Sequence, residues 1–171
     1  TDDRNSITPA WILHNYPSVE NVIRGLRAVN CGDARCAYCS QKLNAEYSLK
    51  KWFGYDRFRT FGGEPLQENA AKAAIKGESL LAIFPTGGGK SLTFQLPALR
   101  AGETVRGLTV VISPLQSLMK DQVENLEKKG ISEAVYINGL LCPSERRDAL
   151  ERVESGEASL RYIAAERLRS K

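Results

Sequence analysis

The chain has 171 residues, of which 42% are hydrophobic and 26% charged, a composition ordinary for a globular protein with one core and an appendage. Its formal net charge of +4 suits a polyanionic partner, but the charges are interspersed, so charge alone supports nucleic-acid binding only weakly. Neither a membrane-spanning run nor a secretion signal is present, which predicts an intracellular protein without a membrane partner, in the cytoplasm or nucleoid, or in the nucleus of a eukaryote.

The amino-terminal part of the chain differs in character from the rest. In residues 1–48, prolines, a glycine and a cysteine cluster replace any alternation of strands and helices. We place a boundary at this point, so that residues 49–171 form a second unit. The first segment is predicted to be a small cysteine-containing element that docks a protein or DNA partner.

Three cysteines of this segment are candidate metal ligands. Cys31, Cys36 and Cys39 are spaced so that three thiolates can face one ion. A closed zinc site needs a fourth ligand, for which His14 is the local candidate and Cys142 a more distant one. The same spacing matches three ligands of a plant-type iron–sulfur cluster, and a cysteine run without a metal is the third alternative.

From about residue 80 the sequence alternates short apolar runs with amphipathic stretches. This is the pattern of parallel strands joined by crossover helices. The predicted buried strands are residues 80–84, 108–112, 134–137 and 160–164. The predicted helices cover residues 65–75, 115–126 and 144–156. The fold class is therefore α/β, a parallel sheet flanked by helices.

A glycine-rich segment follows the first predicted strand and reads Pro85-Thr86-Gly87-Gly88-Gly89-Lys90-Ser91. The glycines let the backbone curl around phosphate oxygens, and a helix starting near Lys90 directs its positive end at them. Lys90 supplies a fixed cation and Ser91 a hydroxyl for Mg²⁺, so the segment predicts a nucleoside triphosphate site. Phe84 stands where the general pattern has its first glycine. The prediction assumes a strand before the loop.

Three stretches, in order along the chain, resemble motifs of the RecQ family of superfamily 2 helicases. The glycine-rich segment at residues 85–91, which we call the phosphate loop, is similar with its tail through Leu99 to motif I. Residues 110–123 are similar to motif Ia, and residues 160–168 to motif Ib. The resemblance covers roughly residues 49 to 168. It implies an incomplete RecA-like motor lobe of an ATP- and Mg²⁺-dependent 3′-to-5′ DNA helicase, in which Lys90 is catalytic. The implied substrates are single-stranded DNA and duplex junctions in repair or recombination.

The resemblance also implies that two turns contact the backbone of one DNA strand. These turns are Ser113-Pro114-Leu115 and Ala165-Glu166-Arg167. Independently of the family, a turn at the carboxyl end of a parallel strand offers N–H groups and a hydroxyl to phosphate oxygens. Such contacts position DNA without reading its sequence. Taken alone, Ser113-Pro114 is an ordinary helix-initiating turn.

Residues 49–59 are similar to the adenine-recognition motif of RecQ helicases. The family pattern suggests that Tyr55 stacks on adenine while Arg59 and Gln67 bind its edge. Seven residues separate Arg59 from Gln67, where the family usually has two. Either Gly62-Gly63 marks an inserted loop that leaves Gln67 at the start of its helix, the alternative we favour, or Gln67 is an ordinary helix residue.

The sequence contains no D-E-x-H, the acid pair with which this family holds Mg²⁺ and polarises water. We therefore expect a truncated chain, a proteolytic remnant or the product of a split gene, which alone binds nucleotide weakly and hardly hydrolyses it. The competing function is a nucleotide-gated module that binds nucleic acid or protein without hydrolysis. A different phosphate-loop enzyme, such as a small kinase, is a third possibility, but no acceptor pocket or lid is recognisable in the sequence.

Overall fold

The structure, a computed structural model, describes residues 10–168. Its helices are α1 (Ala10–Asn15), α2 (Ser18–Ala28), α3 (Ala37–Lys42), α4 (Ala45–Phe53), α5 (Leu66–Ile75), α6 (Leu92–Val105), α7 (Gln116–Glu127) and α8 (Pro143–Glu154). Its strands are β1 (Thr109–Ser113), β2 (Ala134–Ile137) and β3 (Leu160–Ala164), and a 3₁₀ turn, Ala165–Leu168, follows β3. None of these helices has the length and apolar character that crossing a bilayer requires.

The three strands form one parallel sheet in the order β1-β3-β2. Leu160 at the start of β3 pairs with Thr109 on one side and with Ala134 on the other. Helix α7 connects β1 to β2, and α8 connects β2 to β3. The predicted α/β class and parallel sheet are confirmed. Because the strands run in one direction, their carboxyl ends lie at one edge, where Ser113 is opposite Ala164.

The strand predicted at residues 80–84 is wrong. That segment has no regular secondary structure, and Leu81 and Ile83 are 87% and 81% exposed. An apolar segment becomes a strand only when a neighbouring backbone satisfies its N–H and C=O groups. Within residues 10–168, β1 and β2 pair with β3 alone, so neither sheet edge has recruited this segment. Apolar composition signalled a preference for burial but could not supply the partner. The phosphate-loop prediction assumes a strand here, and that assumption is wrong.

The first 48 residues are largely helical where the structure describes them, with α1, α2 and α3 preceding α4. The boundary suggested between residues 48 and 49 falls inside α4. Leu49, the residue directly after this boundary, is fully buried in the same core as Leu96 and Leu99 of α6. The division into two units therefore stays a prediction, and a continuous helix spans it.

The core lies between one face of the sheet and helices α4, α6 and α7. On α7, Met119, Val123 and Leu126 recur at helical spacing and are buried, whereas Lys120 and Glu124 take the polar side. Burying each large apolar side chain contributes about 1.5–3 kcal/mol. The sequence pattern predicted this helix to within a residue at each end.

A buried polar group ties the sheet to two helices. Gln95 on α6 donates from Nε2 to the Tyr162 hydroxyl on β3 at 3.0 Å and to Oε1 of Gln122 on α7 at 2.7 Å. Tyr162 is 1% exposed. Burial raises the pKa of Tyr162 to about 12, and the hydrogen bond from Gln95 opposes that shift only in part.

We predict that Tyr162 makes the protein sensitive to alkaline pH. Its folded pKa lies above the unfolded value of about 10, so its contribution is complete below pH 10 and is lost as the pH rises toward 12. The shift corresponds to about 3 kcal/mol of unfolding free energy, which the non-ionising Tyr162→Phe cannot lose. Urea unfolding of both proteins across this range should show the wild type falling more steeply. The control Tyr16→Phe removes an exposed tyrosine and should lose stability as steeply as the wild type. An equally steep loss in Tyr162→Phe would contradict the assignment.

Candidate functional site

The glycines of the phosphate loop each have a local reason. Gly87 and Gly89 have φ angles of +74° and +69°, in the left-handed region that favours glycine. Gly88 donates its N–H to the carbonyl of Pro85, and a Cβ at Gly88 would lie 2.8 Å from that oxygen. A Cβ at Gly89 would lie 2.6 Å from Nε2 of Gln67. The loop is thus a tight turn in which a side chain is disfavoured by the backbone angle at Gly87, by a close contact at Gly88 and by both at Gly89.

Lys90 and Ser91 lie where the loop enters α6. The Lys90 ammonium donates to the carbonyl oxygens of Phe84 and Pro85, both at 3.1 Å, so it lies over its own loop. Helix α6 begins at Leu92, two residues after the predicted start. The N–H groups of Leu92 and Thr93 in its first turn donate to the carbonyl oxygens of Gly89 and Lys90, at 3.2 and 3.1 Å.

Gln67 connects the two ends of the predicted nucleotide site. It is 2% exposed, and its Oε1 accepts the backbone N–H of Arg59 at 2.8 Å. Its Nε2 donates to the Gly89 carbonyl at 3.1 Å. The Arg59 guanidinium reaches the same loop and donates to the Gly87 carbonyl at 3.0 Å. The adenine-motif residues are therefore bonded directly to the phosphate loop.

The inserted residues between Arg59 and Gln67 fold into a tight hairpin. Phe61 and Glu64 exchange both backbone hydrogen bonds, at 2.9 and 3.0 Å. Gly62 and Gly63 form the turn between them with φ of +60° and +88°, angles typical of a two-residue hairpin. The turn takes up the extra length, so the inserted-loop alternative describes this structure.

The three predicted adenine residues line one cavity of about 350 Å³. Tyr55 is 47% exposed, and the Lys129 ammonium lies 5.2 Å from its ring centroid. Gly89 and Ser91 are also in the wall, so the cavity is continuous with the phosphate loop. Thr86 is exposed on the turn and is not part of the wall. This volume lies at the lower end of the range for small-molecule sites.

Several polar lining residues were missed from the sequence. They are Arg57, Gln95, Gln122, Asn125 and Lys129. Gln122 and Asn125 are three residues apart on α7, a helical spacing that places them on one side. That spacing was visible in the sequence, but only the packing of α7 against α6 shows that this side faces the phosphate loop.

The two predicted DNA-contacting turns lie at one edge of the sheet. Ser113 ends β1 opposite Ala164, the last residue of β3. The Ser113 hydroxyl accepts the N–H of Leu115 at 3.3 Å, which fixes the first turn. Pro114 and Leu115 are exposed there, the latter by 59%.

The second turn starts directly after β3. Ala165 is half-buried and Glu166 is exposed at the beginning of the 3₁₀ turn. The side chain of Arg167 lies outside the described part of the chain. The structure thus brings the two turns to neighbouring strand ends, and their contact with DNA stays a prediction.

The three cysteines of the amino-terminal segment converge. The Sγ atoms of Cys31, Cys36 and Cys39 all lie within 4.8 Å of one another, with 3.4 Å between those of Cys31 and Cys39. His14, the fourth ligand suggested by the sequence, is exposed on α1 and does not belong to this group. Cys142 lies apart, ahead of α8. The structure thus brings the three predicted cysteines together and leaves His14 outside their group, and metal binding by them stays a prediction.

Comparisons with known proteins place this geometry in a family. Residues 64–170 match the family described as DEAD/DEAH box helicase. The chain is 40% identical over 128 residues to the ATP-dependent DNA helicase RecQ of Haemophilus influenzae and 42% over 127 residues to that of Bacillus subtilis. It is 42% identical over 122 residues to the ATP-dependent DNA helicase Q5 of Mus musculus. These matches cover 75%, 74% and 70% of this chain but 19%, 20% and 12% of the relatives.

The chain belongs to the DEAD/DEAH box helicase family. Within that family, the resemblance to RecQ helicases indicated by the motifs is confirmed. The chain spans about a fifth or less of the length of the relatives named here.

We predict that Gln67→Ala weakens the protein and loosens the phosphate loop. The substitution leaves the Arg59 N–H and the Gly89 carbonyl without this partner, which costs about 1–3 kcal/mol of unfolding free energy. Urea unfolding measures the cost, and amide hydrogen exchange at residues 87–91 should become faster. Gln41→Ala, at an exposed position on α3, is the matched control. Equal effects of the two substitutions would show that the bridge has no structural role.

Proposed function

We propose that this chain binds ATP with Mg²⁺ and forms part of the first motor lobe of a RecQ-type DNA helicase that moves 3′ to 5′. The observation that carries the proposal is the Gln67 bridge, which joins the adenine-motif backbone at Arg59 to the phosphate loop at Gly89. The family match of residues 64–170 and the similarity to ATP-dependent DNA helicases support it.

In this proposal the adenine ring stacks on Tyr55, and Arg59 and Gln67 lie beside it. The cavity that these side chains line continues to Gly89 and Ser91, so one molecule can occupy both ends. Loop N–H groups then bind phosphate oxygens.

Lys90 and Ser91 provide the charged and metal-binding groups of the proposed site. The Lys90 ammonium leaves the two carbonyl oxygens it now contacts and binds phosphate oxygens of higher negative charge. The residues fit Mg²⁺, because Ser91, the N-cap of α6, offers its hydroxyl oxygen as a ligand in the wall of the cavity. The adjoining loop leaves no room for side chains at Gly88 and Gly89. The ion supplies charge neutralisation at the phosphates when bound.

The turns at residues 113–115 and 165–167 are the proposed contacts to one DNA strand, at a junction of single strand and duplex. Their support is the register that places Ser113 opposite Ala164 at the carboxyl edge of the sheet. Helix α7 starts immediately after the first turn and lines the cavity with Gln122 and Asn125. A single rigid element therefore joins the proposed DNA and nucleotide sites.

The sequence contains no D-E-x-H, so we propose that the 171 residues alone hydrolyse ATP slowly. We propose that the protein acts on DNA in the cytoplasm or nucleoid, or in the nucleus of a eukaryote.

Lys90→Ala tests nucleotide binding by this chain. Hydrogen bonds to charged groups contribute about 1.5–3 kcal/mol, so the affinity for ATP·Mg²⁺ should fall by about 10- to 100-fold in isothermal titration. Lys76→Ala removes an exposed lysine after α5 and should bind as the wild type does. Unchanged affinity of Lys90→Ala, with the fold verified by circular dichroism, would contradict the proposed site.

The same pair of variants tests the motor function in a protein that continues through both motor lobes. Lys90→Ala should abolish DNA-stimulated ATP hydrolysis and the unwinding of duplexes with a 3′ single-stranded tail, whereas Lys76→Ala should retain both. Unwinding from 5′ tails alone would contradict the direction, and unwinding by Lys90→Ala would contradict the role of the lysine.

A further inference from the structure

We propose that Cys31, Cys36 and Cys39 bind one Zn²⁺ ion that anchors the amino-terminal segment to helix α6. The proposed helicase chemistry uses none of these thiols. The inference therefore stands or falls independently of the nucleotide site.

The sulfur positions fit a single ion. Zinc–thiolate bonds of about 2.3 Å in a tetrahedron place the sulfurs about 3.8 Å apart. Here the three Sγ atoms lie within 4.8 Å of one another, so small side-chain rotations bring Cys31, Cys36 and Cys39 to that geometry. Three cysteines of an iron–sulfur cluster bind at least two different irons, which separates their sulfurs by the width of the cluster. The observed spacing therefore favours a mononuclear site.

The backbone holds these sulfurs together. Asn30 Oδ1 accepts the N–H of Gly32 at 2.9 Å, and Gly32 turns the chain with φ of +82°. The Cys36 N–H donates to the Asp33 carbonyl at 3.1 Å. The Cys31 N–H donates to the Sγ of Cys39 at 3.4 Å, and the Cys39 thiol lies 3.4 Å from the Sγ of Cys31.

The ligand set selects the metal. Soft thiolates prefer zinc, copper(I) or iron, and zinc needs no redox change to remain bound. Among the side chains that the structure describes, no further His, Cys, Asp or Glu joins the three cysteines. We therefore assign these three cysteines as the protein ligands.

The helix that carries two of the ligands is fastened to the motor. Cys36 precedes α3 and Cys39 lies within it, buried at 7% exposure. At the other end of α3, the Lys42 carbonyl accepts from Nε of Arg100 on α6 at 2.9 Å, and the Lys42 ammonium pairs with Glu103. Since α6 begins at the phosphate loop, an ion that fixes α3 also restrains the outer face of that helix.

Zinc titration of the reduced 171-residue chain against a chromogenic chelator tests the site directly. We expect one zinc per chain by elemental analysis, without iron or inorganic sulfide, and thiolate-to-metal absorption when Co²⁺ replaces zinc. Cys39→Ser should lose the bound metal, and Cys142→Ser should retain it. Failure of the reduced wild-type chain to bind zinc, or iron with sulfide in its place, would overturn the proposal.

Two further measurements on the wild-type chain test the anchoring role. Zinc should raise Tm by several degrees, because it binds the folded form. It should also slow amide hydrogen exchange both at residues 31–42 and at residues 100–104 of α6. Slowing confined to the cysteine loop would disprove the anchoring of α3 to the motor.

Discussion

The buried amide of Gln67 is the constraint on which the candidate site depends. It accepts from the backbone of Arg59 and donates to the carbonyl of Gly89, so the two ends of the site are held at a fixed separation. A Cβ at Gly89 would lie 2.6 Å from Nε2 of Gln67, so a side chain at that position would displace the amide nitrogen from the Gly89 carbonyl. Losing a buried partner costs more than the bond itself contributes. The local geometry of the phosphate loop thus follows from one side chain on α5.

The rest of the fold holds α6 and α7 around this bridge. Gln95 on α6 contacts both Tyr162 of the central strand and Gln122 of α7, so the sheet and the two cavity-lining helices are joined by hydrogen bonds as well as by apolar packing. On its outer side, α6 is bonded to α3 through Arg100 and Glu103. The proposed nucleotide, DNA and zinc sites therefore all act on helices that pack directly against one another.

How much was predictable from sequence depended on the range of the interactions. The local sequence pattern located α7 by its helical spacing, α5 by the bounding Pro65 and Gly77, and three strands by their apolar runs. It failed at residues 80–84, where strand formation needs a neighbour from elsewhere in the fold, and at His14, whose distance from the cysteines depends on how α1 and α2 are arranged. The hairpin at Gly62-Gly63 was readable because two adjacent glycines favour such turns. The α7 contribution to the cavity required tertiary packing.

The central proposal is that the phosphate loop, Arg59 and Gln67 form one nucleotide site. Amide hydrogen exchange of the chain, with and without ATP·Mg²⁺, tests it most directly. The account predicts slower exchange at residues 87–91 and at Arg59 together, at the same nucleotide concentration. Protection of neither region, or protection confined to another part of the chain, would contradict it.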